Sequence, residues 1–170
     1  MRNLIAVAFV EPVTEGLEFP RDDWPLHITL VKFDVVAPEA AEPAPDDPLA
    51  DRIAALMAAP VAAALGSSVA VRGEAGFGRA GSIPVSLIEP SERLQGLHDA
   101  LVRMVAELPG RIPTPGYTLE GYRPHVSHHG ERRLNPGDVV VLDRIALVDM
   151  APDGGHATRR ILRLWTDAPA

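Results

Sequence analysis

Two short stretches of this 170-residue chain echo each other: Trp24-Pro25-Leu26-His27-Ile28-Thr29-Leu30 and Tyr122-Arg123-Pro124-His125-Val126-Ser127-His128. Each places a histidine behind a proline and a hydroxyl residue two positions after the histidine, and the two histidines are 98 positions apart. Successive side chains of an extended strand point to opposite faces. His27 and Thr29 therefore share one face while Ile28 and Leu30 take the other, and His125 and Ser127 repeat this against Val126. A strand with an apolar face for a core and a histidine-plus-hydroxyl face for a cleft suits catalysis. One His-x-Thr carries little information, whereas two copies, each on an apolar alternation, are hard to obtain by chance.

The rest of the chain supplies an α+β frame for these strands. Residues 4–10 read as a buried strand, Pro12 to Asp23 as a loop, and 26–33 as the first motif strand. Ala37 to Pro48, with four prolines and four acids, reads as a solvated loop. Asp46 or Asp47 is placed to cap a helix with Pro48 in its first turn and a stripe of Leu49, Ile53, Leu56 and Met57. Pro60 is expected to break or kink that helix before Gly66 ends it. Val69 to Glu74 and Ile83 to Glu89 read as strands around a turn at Phe77 to Gly81. Ser91 caps the clearest helix, striped by Leu94, Leu97, Leu101, Met104, Val105 and Leu108. Residues 110–121 form a loop that delivers a second motif strand over about 122–129. Val139 to Val148 is one bulged strand or two short ones, and Thr158 to Thr166 closes a hairpin. With a helix and a motif strand on each side of the midpoint, two similar lobes of mainly antiparallel sheet are expected, with the cleft between them. The length suits one domain spanning 1–170.

Charge and composition narrow the partners. A net charge of −7 opposes a long grip on nucleic-acid phosphates, while a small nucleotide or one end of an RNA is compatible with it. The absence of cysteine fits a reducing, cytoplasmic setting. The apolar run after Arg2 stops after seven residues at Glu11, so it reads as a strand and not as a secretory leader. No stretch approaches the roughly 20 apolar residues of a membrane span. A monomer is expected.

At the motif residues the sequence resembles the two-histidine (2H) phosphoesterases, the superfamily of 2′-5′ RNA ligase-like proteins and RNA 2′,3′-cyclic phosphodiesterases. That resemblance implies a bilobal pseudo-two-fold fold with the cleft between the motif strands. It implies no metal and no cofactor, with His27 and His125 as the acid–base pair and Thr29 and Ser127 as the phosphate grip. The chemistry is coherent: opening a 2′,3′-cyclic phosphate or cutting a 2′-5′ bond needs a base for the nucleophile and an acid for the leaving oxygen. Two histidines, ordinarily near pKa 6.5, can do both, and the hydroxyls donate to oxygens where charge builds. The departure from the family pattern is His128, where an apolar residue usually follows the hydroxyl.

Accessory candidates are Arg123, Arg132 and Arg133 for phosphate, Tyr122, Trp24 and Phe77 for stacking on a base, and His129 as a further phosphate ligand on the cleft face. For the aromatics, ordinary core or rim packing is the leading reading. His98, on the apolar stripe of the long helix, is a core or interface histidine, and His156 belongs to a turn. A metal box of His125, His128 and His129 needs a helix, which Pro124 opposes. Three readings compete: a phosphodiesterase, whose substrates extend to cyclic oligonucleotide signals, a non-catalytic nucleotide sensor with the same cleft, and a metal-dependent hydrolase.

Overall fold

The computed structural model describes residues 1–37 and 46–167. In chain order the elements are β1 (Arg2–Phe9), β2 (Glu18–Pro20), β3 (His27–Val35), α1 (Pro48–Ala64), β4 (Ser68–Phe77), β5 (Ile83–Ile88), α2 (Glu92–Ala106), β6 (Gly110–Arg111), β7 (His125–Ser127), β8 (Val139–Val141), β9 (Arg144–Asp149) and β10 (Thr158–Thr166). The strands join in one ten-stranded sheet of order β2-β10-β9-β1-β3-β7-β5-β4-β8, with β6 beside β3. Every pairing is antiparallel. Most of the proline- and acid-rich stretch expected as a solvated loop, residues 38–45, lies outside the described residues.

Strand alternation decides what each face does. Leu4, Ala6 and Ala8 of β1 and Ile28, Leu30 and Phe33 of β3 join a core with Ile53, Met57 and Val61 of α1 and Leu94, Leu97, Leu101 and Met104 of α2. The intervening Ile5, Val7 and Phe9 face the other way, into a smaller cluster with Phe19, Trp24, Ala146, Val148 and Ile161. Among the described residues no helical residue belongs to that second cluster, so the helices leave this face of the sheet open.

The strand order also curls the sheet. Only Leu142 and Asp143 separate β8 from β9, yet five strands lie between them in the sheet. A flat sheet with about 4.8 Å between strands would hold them nearly 30 Å apart, whereas two residues bridge about 10 Å. The sheet therefore bends back on itself.

Both helices start where the capping residues place them. Asp47 accepts the Ala50 amide at 3.0 Å with Pro48 first in α1, and Ser91 accepts the Leu94 amide at 3.2 Å. Pro60 does not break α1, which continues to Ala64. The lost bond to Leu56 costs about 3 kcal/mol at most helix positions, and burial of Met57, Val61 and Ala64 on the core side of the same turns offsets it. The two-lobed, pseudo-symmetric plan holds, but the lobes are not chain halves: the closing hairpin β9–β10 returns to pair with β1, beside the first motif strand. The 139–148 run divides in two because β8 pairs with β4 while β9 pairs with β1.

Candidate active site

β3 and β7 lie side by side, and the register pair that joins them is Ile28 opposite Val126. These are the central residues of the two motifs, so a local two-fold axis between them maps His27 onto His125 and Thr29 onto Ser127. Across the ladder His27 stands opposite Ser127, and Thr29 opposite His125. Ile28 and Val126 are fully buried in the helix-covered core, which turns all four chemical side chains onto the open face. The second motif strand is shorter than the expected 122–129. Beyond Ser127 the chain pairs back on itself at His129 and Arg132, through a turn with Gly130 at φ 63°.

The two imidazoles are oriented alike. Nδ1 of His27 lies 2.9 Å from the Pro25 carbonyl, and Nδ1 of His125 lies 2.8 Å from the Arg123 carbonyl. A carbonyl only accepts, so each Nδ1 donates, and the Nε2 lone pair of the neutral ring is left for a ligand. Diagonal cross-strand positions such as His27 and His125 have Cβ atoms about 7–8 Å apart.

Their surroundings differ. His27 packs against Trp24 at 4.5 Å and Phe9 at 6.1 Å between ring centroids. Burial pushes its pKa down to about 4, with the charges of His129 and His125 adding to the effect and the Pro25 carbonyl opposing it. His125 meets the Phe77 ring at 4.4 Å; its pKa is also lowered, by burial first and then by the charge of Arg123, against the pull of the Arg123 carbonyl. Beside Thr29 and His125 a cleft of about 450 Å³ opens between Phe77, Tyr117 and Tyr122.

The accessory candidates sort by what they touch. The Arg123 guanidinium lies 4.6 Å over the Phe77 ring at the mouth of the cleft, beside His125. His129 is half-buried and close enough for its charge to act on His27. Tyr122 is not a free stacking platform: its ring lies parallel on His98 at 3.8 Å and its hydroxyl donates to the Thr29 carbonyl at 2.7 Å. Trp24, buried against Phe19 and His27, forms a wall of the site. Arg132 is engaged by Glu11 and Asp23, each at 2.9 Å, and Arg133 sits 3.7 Å from Glu74. His128 faces away from His125, as alternation requires, and bonds Ser86 at 2.8 Å.

One supporting residue, Glu11, carries no sequence signal. Glu11 accepts the Leu26 amide at 2.6 Å and also holds Arg132, whose Nη2 donates both to Glu11 and to the Trp24 carbonyl. The loop after the second motif is thereby clamped to the entry of the first. His98 is the core histidine expected on the long helix, but its bonds are more specific than packing: Nδ1 donates to the Leu30 carbonyl at 2.5 Å and Nε2 accepts the Leu119 amide at 2.9 Å. Together with Tyr122 it ties the first motif strand to the segment leading into the second.

Comparison with known proteins matches the chain to a family. The family model described as the 2′-5′ RNA ligase superfamily matches residues 6–135. No curated protein sequence matches the chain. Among solved structures, one described as a phosphoesterase aligns with a TM-score of 0.58 and 14% identity over 97% of both chains. E. coli LigT complexed with NADP+ aligns at 0.56 and 14% identity, over 97% of this chain and 96% of that one. TT0787 of Thermus thermophilus aligns at 0.55 and 20% identity, over 98% and 97%. At these identities the structures establish the shared fold, and with the family match across both motifs the chain belongs to the 2′-5′ RNA ligase superfamily of two-histidine phosphoesterases.

Proposed function

We propose that the protein is a phosphodiesterase that opens 2′,3′-cyclic phosphates, or cuts 2′-5′ linkages, of nucleotides or RNA ends by two-histidine acid–base catalysis. The observation that supports this reading is the Ile28–Val126 register, which puts two Nδ1-anchored imidazoles and two hydroxyl residues on one face of two adjacent strands. One imidazole takes a proton from water as its oxygen bonds to phosphorus. The other protonates the ribose oxygen as the P–O bond breaks, leaving a phosphomonoester. Thr29 and Ser127 donate to the non-bridging oxygens as charge builds there.

The asymmetry of the surroundings divides the labour. His27, enclosed by Phe9 and Trp24, is neutral over the whole physiological range and is the base. His125, at the open cleft, is the acid, and the bound phosphate anion favours its protonated form. The cleft beside it has room for one nucleoside, and the net charge of −7 favours small substrates or an RNA end over a long chain.

Purified protein incubated with 2′,3′-cyclic AMP, a 2′-5′-linked dinucleotide and a cyclic dinucleotide, with and without EDTA, tests the reading. Turnover of at least one to a phosphomonoester is expected, and turnover of none sinks it.

A further inference from the structure

The open face of the sheet carries a second cavity, of about 340 Å³, that the chemistry above does not use. Its lining includes three cations, Arg21, Lys32 and Arg159, beside His156, in a chain whose net charge is −7. The register explains why they gather there. Val7 opposes Thr29, Ile5 opposes Lys32 and Asn3 opposes Asp34, with an irregularity after Ala6, so Lys32 and Asp34 continue the face that bears His27 and Thr29. On β10, Arg159 precedes by two residues Ile161, a member of the open-face cluster. Its guanidinium lies 5.9 Å over the ring of Trp24, the residue that packs on His27.

These cations are not spent on neighbours. Other arginines of the chain have carboxylate partners: Arg2 with Asp47 and Asp149, Arg132 with Glu11 and Asp23, and Arg160 with Glu18 and Asp153. Among the described residues Lys32 and Arg159 form no ion pair, and Arg21 has only its exposed sequence neighbour Asp22, at 3.6 Å. Arg159 donates through Nη1 to the Met150 and His156 carbonyls, while its Nε is buried with no partner. The acid in the cavity, Asp34, is answered by the Asn3 amide at 2.7 Å and by Arg111 at 3.5 Å. Burial and the nearby Arg21 charge both weigh on the Arg159 guanidinium, a strain that a bound anion relieves.

Lys32 also lines the nucleoside-sized cleft, so the two cavities adjoin. Along β3 it lies three positions beyond Thr29, but the irregularity sets Thr29 opposite Val7 and Lys32 opposite Ile5, so the two are about 7 Å apart along the strand at the usual rise, roughly the span of one nucleoside.

We propose that this cavity is a second phosphate subsite. The preferred substrates then carry a cyclic phosphate between His27 and His125 and a further phosphate on the 5′ side, held by Arg21, Lys32 and Arg159. This rests on the phosphodiesterase reading and narrows it. The 5′ phosphate has two sources, a terminal monoester or the diester of a preceding nucleotide, and the test separates them.

Steady-state kinetics on adenosine 2′,3′-cyclic phosphate, its 5′-phosphorylated form and the dinucleotide ApA ending in a 2′,3′-cyclic phosphate provide that test. The wild type should favour at least one of the 5′-phosphorylated substrates by roughly tenfold or more in kcat/KM, the worth of about one charge-assisted hydrogen bond, mostly through KM. Preference for the monoester alone assigns a terminal phosphate; preference for the dinucleotide as well assigns any 5′ phosphate. Arg21→Gln and Lys32→Gln should each cut the preference severalfold, and Arg21→Gln should leave turnover of the unphosphorylated substrate within about twofold. Equal kcat/KM for the three substrates in the wild type overturns the subsite, and so does an equal loss on all three in both variants. Turnover of none sinks the phosphodiesterase reading instead; calorimetry with inorganic pyrophosphate then decides the subsite. Binding by the wild type that Arg21→Gln and Lys32→Gln weaken upholds it, and no binding, or equal binding, overturns it.

Discussion

The environment of His27 makes a prediction that pH alone can test. Its pKa falls from the ordinary 6.5 to about 4 because the protonated ring would be enclosed by Phe9 and Trp24 with other histidines nearby. The unfolded chain carries no such enclosure and binds the proton near pH 6.5. Above that value neither state is protonated and the shift costs nothing. Between about 6.5 and 4 the unfolded state holds a proton that the folded state refuses, so stability is lost as pH falls through this window. At about 1.4 kcal/mol per pH unit, the loss reaches at most about 3 kcal/mol, a large part of the 5–15 kcal/mol typical of a domain. His27→Gln keeps a polar side chain of similar reach and removes the titration. Urea unfolding of wild type and variant at pH 7, 5.5 and 4 should show the wild type losing up to about 3 kcal/mol more than the variant. His98 and His125 titrate in both proteins, so the difference isolates His27. In parallel, the His27 Cε1 proton should titrate near pH 4 by NMR. Parallel pH dependences, or an NMR midpoint near 6.5, would refute both the enclosure and the assignment of His27 as base.

Other outcomes follow from the same geometry. His27→Gln and His125→Gln should each lower kcat by about 10²- to 10⁴-fold, while circular dichroism at pH 7 remains that of the wild type. Because both histidines are lowered, the bell of kcat/KM against pH should centre below 6.5, with its kcat counterpart displaced upward by the bound phosphate; a monotonic rise to pH 9 contradicts the assignment. Tyr122→Phe removes the 2.7 Å bond to the Thr29 carbonyl, which should cost about 1–2 kcal/mol in urea unfolding and lower kcat through the position of Thr29. Ser86→Ala should cost about 1–3 kcal/mol, since it strips a fully buried hydroxyl from His128 and from the Leu134 carbonyl.

How far the sequence foretells this arrangement depends on the range of the interaction. Alternation is local, so the facing of His27, Thr29, His125 and Ser127, and the turning away of His128, could be read from the residues alone. Caps are local too, and Asp47 and Ser91 cap as read. Register is not local. That Ile28 opposes Val126, that Phe9 lands beside His27, and that β9–β10 returns to β1 depend on pairings between distant segments. Neither Glu11 nor Arg132 advertises the other, because an acid after a strand and an arginine in a polar loop both look like solvated surface. Tyr122 reads first as a packing aromatic, but what it packs on is not local: only the fold brings His98 beneath its ring.

His128 shows how a departure from a family pattern can be absorbed without touching the chemistry. A histidine where the pattern has an apolar residue sits on the face opposite His125, where an unpaired ring nitrogen would be costly to bury. Ser86, across from Val126 on β5, supplies the partner. Its hydroxyl proton goes to the Leu134 carbonyl at 2.7 Å, so the 2.8 Å contact requires Nε2 of His128 to be the donor. His128 thus holds its proton on Nε2, the opposite tautomer to His27 and His125, whose Nδ1 atoms donate to carbonyls. The three rings lie within a few residues of the same ladder, yet the bonds on each fix which nitrogen faces a ligand. Two keep Nε2 without a protein partner among the described residues, and the third is consumed in holding β7 to β5.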